Sequence, residues 1–380
     1  MDFDFSDDQE MLRDTVRKWV AKDYGFERRR AIVKAGGFSP DAWREMADLG
    51  LMGLAVPENH GGLGFGPVDA MVVMEELGRG IVLEPYAQVA LIAGGVLSAH
   101  APPGLQAAWL PKIASGDALV VLAHQERAAR YRLEHVTTGA ERNGDGWTVT
   151  GAKSVVPIGD RADAFLVPAR VSGAVDDPAG VALFLVERNA AGVSSRGYST
   201  QDGAHAAEVK FEAAPAALVA AAGDGAAALE LAVDIGIAAL CAEAVGAMEA
   251  LLAVTVDYMN QRKQFGVVIA SFQALRHRIA DVKMQLELGR SMSYFASLKM
   301  NEAPAARRRA LAQAKWQLGQ SMRFVGQQCI QLHGGIGVTD EYIASHYFKR
   351  LTVMEMSFGD SLHQLGIVSA GMQDHAGVFA

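Results

Sequence analysis

The period of apolar and polar positions changes twice along this chain. From Asp7 to about His100 apolar residues recur at helical spacing, from about Leu119 they alternate, and after Gly225 helical spacing returns. Ser6 can cap the first helix, and Gln9 three residues on completes a capping-box pattern. Ser39 caps the next helix, Pro40 takes its first position, and Gly50 ends it after Trp43, Met46 and Leu49. Glycines 61, 62, 64 and 66 then form a loop that feeds a helix from Val68 to Leu77. They do not make a G-x-G-x-x-G fingerprint and no strand–helix unit surrounds them, so a Rossmann site is not indicated. The alternating region holds VVLAHQE, GWTVTGAKSVVPI, ADAFLVPARV, GVALFLVE and AAEVKFE, broken by turns such as Asn143-Gly144-Asp145-Gly146. Strands are expected to end near Glu212, with the Ala/Gly-rich stretch from Ala213 to Gly225 as a linker.

The stretch that organises the rest is Tyr258 to Asp281. A long alanine-rich helix runs up to Arg262, Gly266 interrupts it, and a second amphipathic run starts at Ser271 with Phe272, Leu275 and Ile279 on one side. Arg262, a planar fork suited to phosphate, stands at the break with Gln264 and Phe265. Gln273 lies in the first turn of the following helix, where free backbone N–H groups also favour an anion. Met284 to Lys299 and Ala305 to Gln331 read as two more helices, the latter running into Gly334-Gly335. The pattern predicts an α+β chain: an N-terminal helical domain over 1–117, a middle antiparallel β domain over 118–224, and a C-terminal helical domain over 225–380.

Composition narrows the function. A hydrophobic fraction of 50% and a charged fraction of 21% over 380 residues are those of a soluble globular protein with a large core. The net charge of -8 argues against a nucleic-acid partner. Cys241 and Cys329 sit in apolar stretches, which suits a reducing cytoplasm and excludes a disulfide framework or a cysteine metal site. The acidic N-terminus lacks a signal-peptide pattern. The most apolar run, Ala232 to Val256, is interrupted by Asp234, Glu243 and Glu249 and reads as a buried helix, not a membrane span. No repeat period is present.

The wording Tyr-x-x-x-Arg-x-Gln-Phe-Gly-x-x-Ile-x-x-Phe-Gln from Tyr258 to Gln273 resembles the signature of acyl-CoA dehydrogenases, flavoproteins that desaturate acyl-CoA thioesters. Two distant segments add to the likeness: Val56-Pro57-Glu58 with its glycines and the Glu75-Glu76-Leu77-Gly78-Arg79 helix end, and Gln331-x-x-Gly334-Gly335-x-Gly337. The resemblance implies the family fold, with FAD shared between subunits. Arg262, Gln264, Phe265 and Gln273 would meet the FAD of a neighbouring subunit, and Gln331, Gly334 and Gly335 its adenosine-diphosphate portion. Gln125, in the stretch His124-Gln125-Glu126-Arg127, would bond the isoalloxazine edge, although the usual Trp-Ile-Thr segment here reads Val155-Val156-Pro157. An acyl-CoA substrate, an electron-transferring flavoprotein and a homo- or heterotetramer are the implied partners.

The family's reaction needs a desolvated carboxylate to take the α-proton. Phe358, within Ser357-Phe358-Gly359-Asp360, occupies the usual base position, and Gly236 and Ile237 stand at the alternative one. Two substitutes are present. Asp360 follows Gly359, and its other role is to cap a helix from Ser361. Glu243 lies in an apolar helix, and its other role is structural pairing with an arginine or histidine. The overall likeness is to the small-subunit type, like the pimeloyl-CoA dehydrogenase small subunit, of fatty, dicarboxylic or aromatic acid breakdown. Three readings follow: an enzyme using Asp360 or Glu243, a non-catalytic subunit of a mixed dehydrogenase, and a flavin-free acyl-CoA-binding protein. The retained FAD-contact residues weigh against the third.

Overall fold

The computed structural model describes residues 5–372; residues 1–4 and 373–380 of the expected outer domains lie outside the described residues. In chain order the helices are α1 (Asp7–Asp23), α2 (Phe26–Lys34), α3 (Pro40–Asp48), α4 (Pro67–Arg79), α5 (Gly94–His100), α6 (Pro103–Ala114), α7 (Gly225–Gln261), α8 (Gln273–Lys299), α9 (Pro304–His333), α10 (Ile343–Met356) and α11 (Ser361–Ala370). The capping box at Ser6 and Gln9 forms, and Ser39 caps α3 with Pro40 in its first turn. Gly50 follows in a left-handed conformation at φ 76°. Two helical readings are corrected. An additional helix, α2, precedes α3, and Met284 to Lys299 is the second half of α8, which runs unbroken from Gln273.

The strands are β1 (Val120–Leu122), β2 (Gly139–Asn143), β3 (Gly146–Pro157), β4 (Ala164–Arg170), β5 (Val181–Glu187), β6 (Val193–Ser199), β7 (His205–Ala220), β8 (Lys263–Gln264) and β9 (Val267–Val268). The first seven form one sheet. Its pairings close a circuit through β4, β2, β3, β7 and β5 back to β4. The sheet is not wholly antiparallel: β1 runs parallel to β4, and Gly139 pairs with Arg170 in a parallel bridge. The linker expected from Ala213 is the second half of β7. Ala214 to Ala216 pair with β3 and Ala217 to Ala220 with β5, so ladder bonds hold a run whose composition alone disfavours a strand.

The chain divides into two compact units, Met1–Ala31 with Pro67–Val82 and Ile237–Ala380, and Ile32–Gly66 with Leu83–Gly236. The second contains the β sheet, whose core includes Phe165, Phe184 and Phe211, all fully buried. The first is helical. It holds α7 from Ile237 onward, a helix long and apolar enough to cross a membrane, yet 78% of its most apolar window is buried inside the protein, as expected of a core helix. Cys241 and Cys329 are both free and buried, and burial pushes their thiols up to about 12 and about 11.

Helices α4 and α7 cross at backbone contact. A Cβ added at Gly78 would lie 2.0 Å from the Glu243 carbonyl oxygen, and one at Gly246 would lie 1.8 Å from that of Glu75. Only glycine fits either position. Gly246→Ala is therefore expected to cost at least about 3 kcal/mol in urea denaturation, the upper range for overpacking. Gly366→Ala in α11, where an added Cβ meets nothing within 4 Å, should be neutral or stabilise by up to about 1 kcal/mol.

Candidate cofactor-binding and active site

In the helical unit, α7 ends at Gln261 and the chain makes the two-stranded hairpin of β8 and β9. Its loop is Phe265-Gly266, both with positive φ (54° and 82°), the geometry of the two-residue turn that matches strand twist. A phenylalanine rarely accepts that conformation. Here the turn projects it into solvent at 91% exposure, edge-on to Phe272 at 6.2 Å. Arg262 anchors the hairpin through its backbone: its N–H donates to the Tyr258 carbonyl and its own carbonyl accepts from Ile269. Its exposed guanidinium has no partner among the described residues, and Gln264 and Gln273 are likewise exposed. Gln273 opens α8, whose N-terminus has no side-chain cap.

The end of α9 belongs to the same neighbourhood. Met259, Ile269 and Leu332 form one cluster with Tyr258 and Leu275 packed on it, so the hairpin and the Gln331–Gly335 turn share a base. Gly334 (φ 63°) ends α9, and added Cβ atoms at Gly334 and Gly335 meet nothing within 4 Å, leaving both backbones open. The last residue of the helix is His333, which sequence reasoning missed. Its Nδ1 lies 2.8 Å from the Cys329 carbonyl oxygen, so the proton belongs there. Its ring lies against Tyr258 at 4.7 Å and Tyr342 at 5.1 Å. Burial lowers its pKa, and the buried Nε2 is left as an acceptor without a partner among the described residues. The only signal in the sequence was a histidine abutting the double glycine.

Both candidate bases are engaged elsewhere. Glu243 receives a two-pronged Arg350 guanidinium, Nε at 2.6 Å on one oxygen and a terminal nitrogen at 2.7 Å on the other. Its carboxylate is 8% exposed. Asp360 caps α11 by accepting from the His363 N–H at 2.8 Å. Phe358, at the expected base position, adopts φ 56° and Gly359 φ 99°.

In the β unit, Gln125 is half-buried and its carbonyl accepts from the Ser154 N–H. Val155 sits at a bulge between Lys153 and Val156, with φ 53° and 49% exposure, an unusual pose for a β-branched residue. Glu126 accepts from Thr138 Oγ1 and from the buried Lys153 ammonium at 2.7 Å. Burial opposes its charge, but Lys153 and Thr137 outweigh burial and hold the carboxyl at about 2. Burial pulls Lys153 down to about 8 against the pull of Glu126. Half-buried His124 is lowered to about 4 by desolvation and by Lys153. Beside this network opens a cavity of about 720 Å³ whose lining includes Arg127, Ser154, Arg196, Glu208 and Lys210.

Three family descriptions match along the chain: Acyl-CoA dehydrogenase, N-terminal domain over residues 6–117, middle domain over 122–214 and C-terminal domain over 223–373. The chain belongs to the acyl-CoA dehydrogenase family. It is 29% identical to acyl-CoA dehydrogenase FadE27 of Mycobacterium tuberculosis, over 86% of this chain and 87% of that protein. It is 28% identical to the mitochondrial long-chain specific acyl-CoA dehydrogenase of Sus scrofa, over 89% of this chain and 80% of that one. Among solved structures, the ChsE4-ChsE5 complex from Mycobacterium tuberculosis matches at TM-score 0.89 and 27% identity, covering 98% of this chain and 99% of that chain. The Tcur3481-Tcur3483 steroid acyl-CoA dehydrogenase matches at 0.88 and 28%, covering 97% and 99%.

Acyl-CoA dehydrogenases are FAD-dependent oxidoreductases of CH–CH bonds, and this chain carries features that fit the cofactor. A guanidinium and a buried acceptor without partners among the described residues, and an open glycine pair, are gathered on one cluster. Arg262 would hold the pyrophosphate with Gln264, Phe265 and Gln273 beside it, and Gln331, Gly334 and Gly335 would receive the adenosine-diphosphate portion. Arg262→Met should weaken FAD binding by about 10- to 100-fold, the loss of a charged hydrogen-bond pair, in a titration followed by flavin fluorescence. Arg350→Met should cost about 3–5 kcal/mol in chemical denaturation by leaving Glu243 buried and unpaired.

Proposed function

We propose that this chain is the non-catalytic half of a mixed acyl-CoA dehydrogenase, supplying FAD-contact residues to a partner chain that carries the base. One observation bears the reading: no carboxylate occupies position 358, and the two substitutes are spent, Glu243 on Arg350 and Asp360 on the α11 cap. A base must be free to take a proton within hydrogen-bond reach of the α-carbon. Neither side chain meets that condition while its pairing holds.

Bound FAD supplies the electron acceptor of the family's desaturation. The chain's own contribution is positional, with Arg262 offering charge to a phosphate and the Gln331–Gly335 turn offering open backbone. The two-chain names of the ChsE4-ChsE5 and Tcur3481-Tcur3483 structures support a heteromeric assembly. A steroid acyl thioester, named for the latter, is the first substrate to test, ahead of dicarboxylic and aromatic acyl groups. A mixed tetramer passing electrons to an electron-transferring flavoprotein is the assembly this reading implies.

The test is the visible spectrum of the chain purified alone and co-purified with a base-bearing dehydrogenase, each mixed anaerobically with a panel of acyl-CoAs. The flavin band should stay unbleached for the chain alone and bleach with the pair. Bleaching by the single chain that Asp360→Asn or Glu243→Gln abolishes would overturn the reading and make it a self-sufficient enzyme.

A further inference from the structure

The turn that carries Phe358 is fastened by three buried side chains, Lys315, Glu355 and Gln364. Lys315, fully buried on α9, donates from Nζ to the Glu355 carbonyl at 2.8 Å and to the Gly359 carbonyl at 3.2 Å. Gln364 Nε2 donates to the Phe358 carbonyl at 2.7 Å. The Glu355 carboxylate turns back to accept from the Ser361 N–H at 3.0 Å and its hydroxyl at 2.7 Å. Gly359 is itself wedged, since a Cβ there would lie 2.5 Å from the His363 ring and 2.7 Å from Gln364 Nε2.

Every one of these bonds to the segment from 355 to 361 ends on a main-chain atom or on Ser361. None depends on what side chain residue 358 carries. Yet together they hold 358 at φ 56°, a left-handed pose that a bulky L-residue does not keep unless its surroundings impose it. Lys315 is central because one ammonium bridges the last turn of α10 and the residue after 358, closing the loop at both ends. A lysine buried for bulk alone would be replaced without loss by an apolar side chain.

We propose that Lys315 is a positioning residue which, with Glu355 and Gln364, presets the backbone at 358 to present whatever side chain stands there. The chain has thus kept a base holder and lost only the base. This rests on reading 358 as the base position of the proposed function. A carboxyl introduced by Phe358→Glu is then presented without further change. Offered 3-thiaoctanoyl-CoA, it takes the α-proton, the C–H electron pair stays on the thioester as an enolate, and a deuteron from D₂O returns to the same carbon. No oxidant enters.

Two measurements on the full-length chain test this. The first is amide hydrogen exchange. Lys315→Met should speed exchange in peptides spanning 357–364 by about tenfold or more while α7 peptides are unchanged. Unchanged exchange at the turn, or equal acceleration throughout, overturns the proposal. Should Lys315→Met not fold, Gln364→Leu is expected to give the same local acceleration. The second is α-deuteration of FAD-loaded Phe358→Glu with 3-thiaoctanoyl-CoA in D₂O. Label should appear, and adding Lys315→Met should slow it by about tenfold or more at unchanged analogue affinity, the split expected of a misplaced base. A double variant that labels as fast as Phe358→Glu overturns the proposal. Absence of label in Phe358→Glu, with the analogue bound in a direct titration and the turn still protected, sinks the reading of position 358 and leaves the fastening by Lys315 standing.

Discussion

The backbone contact between α4 and α7 is the constraint from which the helical unit's electrostatics follow. With Gly78 and Gly246 facing carbonyls at distances no side chain tolerates, the two helices approach until their flanking carboxylates lose solvent. Glu75, Glu76 and Glu243 are all buried as a result. Each then needs a cation, and each has one: Arg290 on Glu75 at 2.6 Å, Arg17 on Glu76 at 2.7 Å, Arg350 on Glu243 at 2.6 Å. Arg79 ties the set together by reaching both Glu76 and Glu249. The close crossing thus accounts for the most suggestive carboxylate in the sequence. Glu243 is present as part of a helix junction.

Such a reading was half open to the sequence. The lone glutamate in an apolar helix was visible, and pairing with an arginine was one of two roles that fit it. Which arginine, and whether the pair forms, depends on Arg350 arriving from 107 positions away. Periodicity does not encode that. Local signals fared better because their partners lie within a few residues. The Ser6 box, the Ser39 cap and the Asp360 cap are each completed three residues on. The hairpin break at Gly266 was legible, but the strand-like turn that displays Phe265 was not, since two-residue strands leave no alternation to read.

The misses have a common cause. β2 and β6 are polar, and the far half of β7 is alanine-rich, so each is a strand because of the neighbour it pairs with. Lys315 reads in AQAKWQ as an ordinary helix charge, and only the fold buries it under the carbonyls of Glu355 and Gly359. His333 gains its interest from two tyrosines that converge from α7 and from beside α10. In all these cases chemistry is assigned by long-range packing, and sequence alone supplies only the residue type.

The exposed tip of the hairpin has an energetic consequence. A phenylalanine displayed at 91% exposure, edge-on to Phe272 at 37% and close in sequence to Val267 at 43%, gathers apolar area in water on one small finger. Any surface that seats on that finger removes the area from water and gains by the hydrophobic effect. The two-residue turn thus converts backbone strain at one residue into a ready source of adhesion.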